Sequence, residues 1–109
     1  ILISDKDAFV SVSGASKKDY IERKISNELE GIMDGRKATL IVEEGKTIPL
    51  HNDEVAGEYS NQVIAPIVAE GDAIGAVMIL SKTPGEKFGE LELKLAETAA
   101  AFLGKQMEQ

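Results

Sequence analysis

The chain has no cysteine and no tryptophan, one histidine, and only 5% aromatic residues in 109. Without cysteine there are no disulfides, no thiolate nucleophile and no cysteine-ligated metal. This fits a reducing cytoplasm. With so few aromatics, the core has to be built from Ile, Val, Leu and Ala. Positive charge is also scarce, with 12 Lys and Arg against 19 Asp and Glu and a net charge of −7. That balance argues against direct contact with the phosphates of DNA. The densest basic stretch, Lys17, Lys18, Arg23 and Lys24, is interleaved with Asp19 and Glu22 and reads as a solvated helix face. No apolar run approaches the ~20 residues of a membrane span, and no signal peptide is visible, so no membrane partner is expected.

What is present fits one globular domain over residues 1–109: 43% of the chain is apolar, enough for a single core. The chain begins without Met, inside the apolar run Ile1-Leu2-Ile3, which suggests part of a longer protein. Residues 1–4 and 8–12 read as a first strand pair, with Phe9 and Ser11 on one face and Val10 and Val12 on the other. Ser16 suits a helix N-cap, and a helix is predicted over 17–34 with the apolar stripe Ile21, Ile25, Leu29, Ile32 and Met33. Gly35 is its predicted stop. Residues 38–42 read as a strand, and 43–58 as a long connection without period, of the kind that is often functional.

Residues 60–69 and 73–81 form the clearest hairpin. Gly71-Asp72 suits a type II′ turn, which would set Val68 opposite Gly75, Pro66 opposite Val77 and Ile64 opposite Ile79. Pro66 lacks an N–H, so a ladder gap or bulge is expected there. A last helix runs from about residue 88 or 90 to 107. At ~100° per residue, Phe88, Leu91, Leu95, Ala99 and Phe102 share one face, and Leu93, Ala96, Ala100, Leu103 and Met107 the adjoining one. Together they exceed one packing surface, so one face should meet the sheet and the other a second subunit. Leu93, Ala96, Ala100, Leu103 and Met107 are the candidates for the dimer interface. The element order predicts an α+β domain around a largely antiparallel sheet.

Chemistry is sparse. His51 lies alone in a loop rich in Pro and acids, with no nucleophile or orienting partner at recognisable spacing. One His among scattered carboxylates is a poor zinc set. The glycines form no phosphate-binding motif. Gly75 serves either plain packing or the close approach of a backbone or ligand. No catalytic residue, metal or cofactor is therefore expected, and the chain should not be an enzyme. Ser11 and Ser13 either line a polar pocket or mark the solvated face. Tyr59, Ser60 and Asn61 lead from the long loop into the fourth strand and are candidates for a pocket rim. Ser11, His51, Tyr59 and Asn61 make up the candidate ligand pocket, under the 43–58 loop and beside the helix beginning at Lys17.

The stretch from Val63 to Ile79 resembles the closing hairpin of GAF domains, and a Leu- and Ala-rich helix follows it as in that fold. The stretches Val12 to Tyr20 and Glu97 to Gln109 resemble the C-terminal half of the stage V sporulation protein T family of AbrB-like transcription regulators. This resemblance spans essentially the whole chain. It implies a GAF-like fold with a five-stranded antiparallel sheet in the order 2-1-5-4-3 and flanking helices. It also implies a regulatory domain of a sporulation transcription factor that dimerises or forms a higher homo-oligomer and senses an unidentified small molecule. Family members act as activators or repressors in the forespore and bind DNA through an N-terminal domain that this chain does not contain. The chain departs from other GAF classes: it has no Cys for a bilin or for methionine sulfoxide reduction, no N-K-F-D-E-type cyclic-nucleotide signature, and no N-terminal GAF helix. The other reading is a purely structural oligomerisation domain with a vestigial pocket. An open pocket of about 300 Å³ or more with converging polar groups would favour sensing.

Overall fold

A computed structural model describes all residues except 15, 16, 44 and 109, together with every described side chain but that of Lys17. The predicted cap at Ser16 lies outside the described residues. The elements are β1 (Leu2–Asp5), β2 (Phe9–Val12), α1 (Lys17–Tyr20), α2 (Asn27–Gly35), β3 (Thr39–Ile41), β4 (Asn61–Ala69), β5 (Asp72–Ser81) and α3 (Glu90–Met107). The strands form one antiparallel sheet in the order β2-β1-β5-β4-β3, as the resemblance implies. Helices cover both faces, and β4 is buried along most of its length. On one face α3 packs over Val63, Ala65, Ile67 and Val77. On the other, α1, α2 and the long loop cover Leu2, Phe9, Val12, Ile64, Ala76 and Met78. Among the described residues no helix is long and apolar enough to cross a membrane.

The hairpin differs from expectation in register. Its two-residue turn is Glu70-Gly71, both with positive φ (52° and 86°), which is type I′ rather than II′. Val68 therefore opposes Ala73, Pro66 opposes Ala76 and Ile64 opposes Met78. The bulge falls between Ile67 and Val68 and leaves Pro66 in the ladder. Gly75 sits where a Cβ would stand 2.1 Å from the Ser4 carbonyl oxygen, so the close approach it permits is that of the β1 backbone. A second bulge in the β1–β2 pair, between Ile3 and Ser4, sets Ser4 opposite Phe9 and Ile3 opposite Ser11. It turns Phe9 and Val12 to the same buried face, contrary to simple alternation, and leaves Val10 and Ser11 exposed.

The predicted helix over 17–34 is broken. Glu22 takes a left-handed conformation (φ 66°), and residues 21–25 run beside β2 instead of coiling. The cause is the edge of the sheet. The Phe9 N–H donates to Arg23 O, the Phe9 carbonyl accepts from Glu22 N, and the Asp7 carbonyl accepts from Ile25 N. A helix through this segment would leave those edge groups unpaired. Coiling resumes at Ser26, whose Oγ accepts from Leu29 N at 3.1 Å and caps α2. The apolar stripe still reaches the core: Ile25, Leu29 and Met33 are buried, and Ile21 and Ile32 pack against them. Gly35 is the last residue of α2, and Arg36 takes the left-handed position (φ 58°) after it.

Candidate functional site

The described residues of 43–58 form no helix or strand, but Thr47, Leu50 and His51 among them are buried. Leu50 is fully buried. Gln62, at the start of β4, clamps Ile48 from both sides: its Oε1 accepts from Ile48 N at 2.8 Å and its Nε2 donates to Ile48 O at 2.6 Å. The Thr47 hydroxyl donates to Tyr59 O, and Ser26 donates to Leu50 O and, through Oγ, to Pro49 O. The reach 47–50 is thereby tied to β4 and to the start of α2. The segment beyond it carries exposed Val55 at its tip and also turns one carboxylate inward.

That carboxylate is Glu54. Its Oε1 accepts from Leu50 N at 2.7 Å, its Oε2 accepts from the Tyr59 hydroxyl, and Oε2 also lies 3.5 Å from His51 Nε2. The side chains of His51 and Glu54 are 9% and 6% exposed, so the pair is inside the protein. His51 Nδ1 accepts from Asp53 N, which fixes its proton on Nε2, toward Glu54. The Tyr59 oxygen lies 2.8 Å from the Tyr20 hydroxyl oxygen. Phe9, Tyr20 and His51 meet edge to face, with centroids 5.6 to 6.4 Å apart. Burial, then the hydrogen bond to Glu54, pushes the Tyr59 phenol far above its ordinary range. Burial also raises Tyr20, against the opposing pull of its bond to Tyr59. Both phenols therefore stay protonated at neutral pH and are poor acids.

Tyr20 and Tyr59 form part of the wall of an open cavity of about 340 Å³. Leu2 and Leu80 supply apolar wall, and Asp19, Ser81 and Lys82 polar groups. The Lys82 ammonium stands 5.2 Å from the Tyr59 ring centroid and pairs with Glu58 at 3.2 Å. Among the described residues no three His, Asp or Glu side chains converge as a metal site would require.

Of the four pocket candidates, Tyr59 alone lines this cavity. His51 stands behind the tyrosines, buried rather than in a mobile loop. Asn61 is fully buried and structural: its Nδ2 donates to Glu86 O and its Oδ1 accepts from Phe88 N, which fixes the approach to α3. Ser11 is exposed and lies opposite Ile3, which packs in the cluster under α3. Tyr20, Glu54 and Lys82 were missed. Tyr20 was hidden inside the supposed helix, and two of its partners, His51 and Tyr59, lie more than 30 residues away in the chain. The signal that could have found the group is that both tyrosines of an aromatic-poor chain follow polar loops.

The α3 candidates need correction. Ala96 and Ala100 are buried against the chain's own sheet, with Leu93 and Leu103 packed beside them. Ala96 and Ala100 are thus covered by the sheet, while Leu93 and Leu103 are half-buried. Met107, one turn on, is exposed. The outward stripe is Leu91, Leu95 and Phe102, at 68%, 55% and 63% exposure. Small residues decide the orientation: a Cβ at Gly104 would stand 2.4 Å from Val68 O, so the Ala96, Ala100 and Gly104 edge is the one that can approach the sheet.

Comparison with known proteins places this arrangement. The family described as stage V sporulation protein T C-terminal, transcription factor, matches residues 1–108. Stage V sporulation protein T of Bacillus subtilis (strain 168) is 48% identical over 111 residues. That alignment covers all of this chain but 59% of the relative, so the chain spans less than two thirds of that protein's length. Two solved structures share the fold. The GAF domain/HD domain protein from Geobacter sulfurreducens aligns with a TM-score of 0.70 at 16% identity, covering 97% of this chain and 79% of the other. A domain assigned to a two-component sensor histidine kinase protein from Sinorhizobium meliloti 1021 aligns at 0.56 with 19% identity, covering 97% and 75%.

Proposed function

Because this chain belongs to the stage V sporulation protein T C-terminal family of transcription factors, we propose that it is the regulatory domain of a sporulation transcription factor, catalyses no reaction itself, and takes a small molecule at the tyrosine-walled cavity. DNA binding falls to a part of the protein outside this chain, consistent with the net charge of −7. The domain works in the cytoplasm, in the forespore. It also holds two or more copies together through the outward stripe of α3, where three large apolar side chains stand exposed on one line.

One observation carries the sensing role: an open cavity of about 340 Å³ ends on a buried, directional hydrogen-bond chain, Tyr20–Tyr59–Glu54, with His51 behind it. A purely structural domain has no use for a carboxylate, an imidazole and two phenols in its interior, because each costs desolvation that apolar residues avoid. A ligand that displaced Tyr20 or Tyr59 would act on Glu54, on the Leu50 backbone and, through Ser26, on the cap of α2. To signal, the ligand must favour one arrangement of this loop over another.

The test is native mass spectrometry of the full-length protein purified from sporulating cells. A retained small molecule is expected in the parent, and its loss in Tyr20→Phe. Parent protein that carries no such mass, and whose DNA affinity is indifferent to extract of sporulating cells, would leave the structural reading in its place.

A further inference from the structure

The hydrogen bonds around Glu54 run in one direction. Leu50 N–H donates to Oε1 and the Tyr59 hydroxyl donates to Oε2, with His51 Nε2 standing 3.5 Å from Oε2. The His51 proton is on Nε2 because Asp53 N–H occupies Nδ1. Both carboxylate oxygens thus face donors, and Tyr59 spends its only proton on Glu54. The Tyr59 oxygen can then only accept from Tyr20, which spends its own proton there, across 2.8 Å. The phenol oxygen of Tyr20 is the end of the chain. It has lone pairs and no proton left to give, so at the cavity it accepts only.

The charges nearby have the same sense. The Lys82 ammonium is held by Glu58 at 3.2 Å and lies over the Tyr59 ring, so its charge is already matched. Asp19, also on the cavity wall, makes no ion pair among the described residues. Besides the Ile1 amino group, which donates to Ser13 O at 2.7 Å, the wall carries a carboxylate, an accepting phenol oxygen and aromatic surface, and these three favour a cation with N–H groups. We propose that the cavity selects a small organic cation, of the amidinium, guanidinium or ammonium class, with its N–H groups directed at Tyr20 Oη and Asp19. This rests on the reading of the cavity as a ligand site, and adds the sign and hydrogen-bond sense of the ligand.

Benzamidine and benzoate test it, since they match in shape and differ in charge and in donor against acceptor character. Each is titrated into the ¹⁵N-labelled chain while the amides of Tyr20, Tyr59, Ser81 and Lys82 are followed by NMR. Saturable shifts are expected with benzamidine and none with benzoate. Tyr20→Phe, which keeps the ring packed on Phe9, should weaken benzamidine about tenfold, the loss of one hydrogen bond to a charged donor. Asp19→Asn, on the exposed rim, should weaken it by a smaller factor without disturbing the fold. Benzoate binding as well as benzamidine, no saturable shift with benzamidine, or parent-like affinity in both variants would each overturn the assignment. The regulatory reading fails separately: a retained anionic molecule on protein from cells would keep that reading and reject the cation. Benzamidine binding with no retained ligand and no effect on DNA affinity would do the reverse.

Discussion

The two faces of the sheet are built on different principles. Under α3 the cluster is aliphatic and small: Val63, Ala65, Ile67, Val77, Ala96 and Ala100, with helix and strand brought close by Gly104. Under α1, α2 and the loop, a comparable apolar cluster surrounds Tyr20, Tyr59, Glu54 and His51, and the backbone is irregular, with a left-handed Glu22 and a clamped loop at Ile48. The first face needs only complementary shape, which is tolerant of detail. The second needs every polar group matched, so a single lost partner leaves an unsatisfied one. A site that must respond to a ligand belongs on the second kind of surface.

Substitutions can break or sharpen this contrast. The largest effect should come from Gly75→Val, because the β1–β5 pairing it disrupts supports both faces at once. Its Cβ would meet the Ser4 carbonyl at 2.1 Å. A loss of about 3 kcal/mol is expected by urea denaturation, an overpacking cost against rigid backbone. Gln62→Leu confines the damage to the polar face. It strands both the N–H and the carbonyl of Ile48 and should cost about 2–3 kcal/mol, with amide shifts concentrated in 46–62 and few in α3.

Tyr59→Phe is smaller and depends on pH. Both tyrosines have folded pKa values raised above the ordinary 10.0, so their contribution is complete below pH 10 and is lost as the pH rises, when the unfolded chain ionises first. Stability should therefore fall above pH 10 in the parent. These are the chain's only tyrosines, so Tyr59→Phe should roughly halve that slope. A slope equal to the parent's would mean that Tyr59 does not carry the raised value. The smallest effect on the fold should come from Leu95→Ser with Phe102→Ser, both exposed. The expected change in stability is within about 0.5 kcal/mol, yet sedimentation should show loss of self-association. An unchanged association state would remove α3 from the proposed interface.

The same contrast explains what could be read in the sequence. The two strand hairpins, the terminal helix and its two apolar faces were legible, because regular elements write their period into the residues, whereas the strand order came from the family resemblance. The face carrying Ala96 and Ala100 was assigned to a second subunit, although the Ala96, Ala100, Gly104 spacing marks it as the one that approaches the sheet. The turn was misplaced by one residue, since Glu70 accepts a positive φ that the pattern assigned to glycine alone. The break at residues 21–25 left no periodic trace: the stripe Ile21, Ile25, Leu29 reaches the core in either conformation, and the deciding partners are backbone groups of Phe9 and Asp7. The site depended on that break. Tyr20, Glu54 and Tyr59 are brought together only by the loop folding back under β4, a tertiary event that no local pattern encodes.

The central claim is that the polar face responds to a ligand while the α3 face holds the frame. Hydrogen exchange on the full-length protein, with and without a metabolite extract from sporulating cells that alters its DNA binding, tests this most directly. The prediction is added protection in residues 47–61 and around Tyr20, with Ala96 to Gly104 unchanged. Protection confined to α3, or no change in residues 47–61 while DNA binding responds, would contradict it.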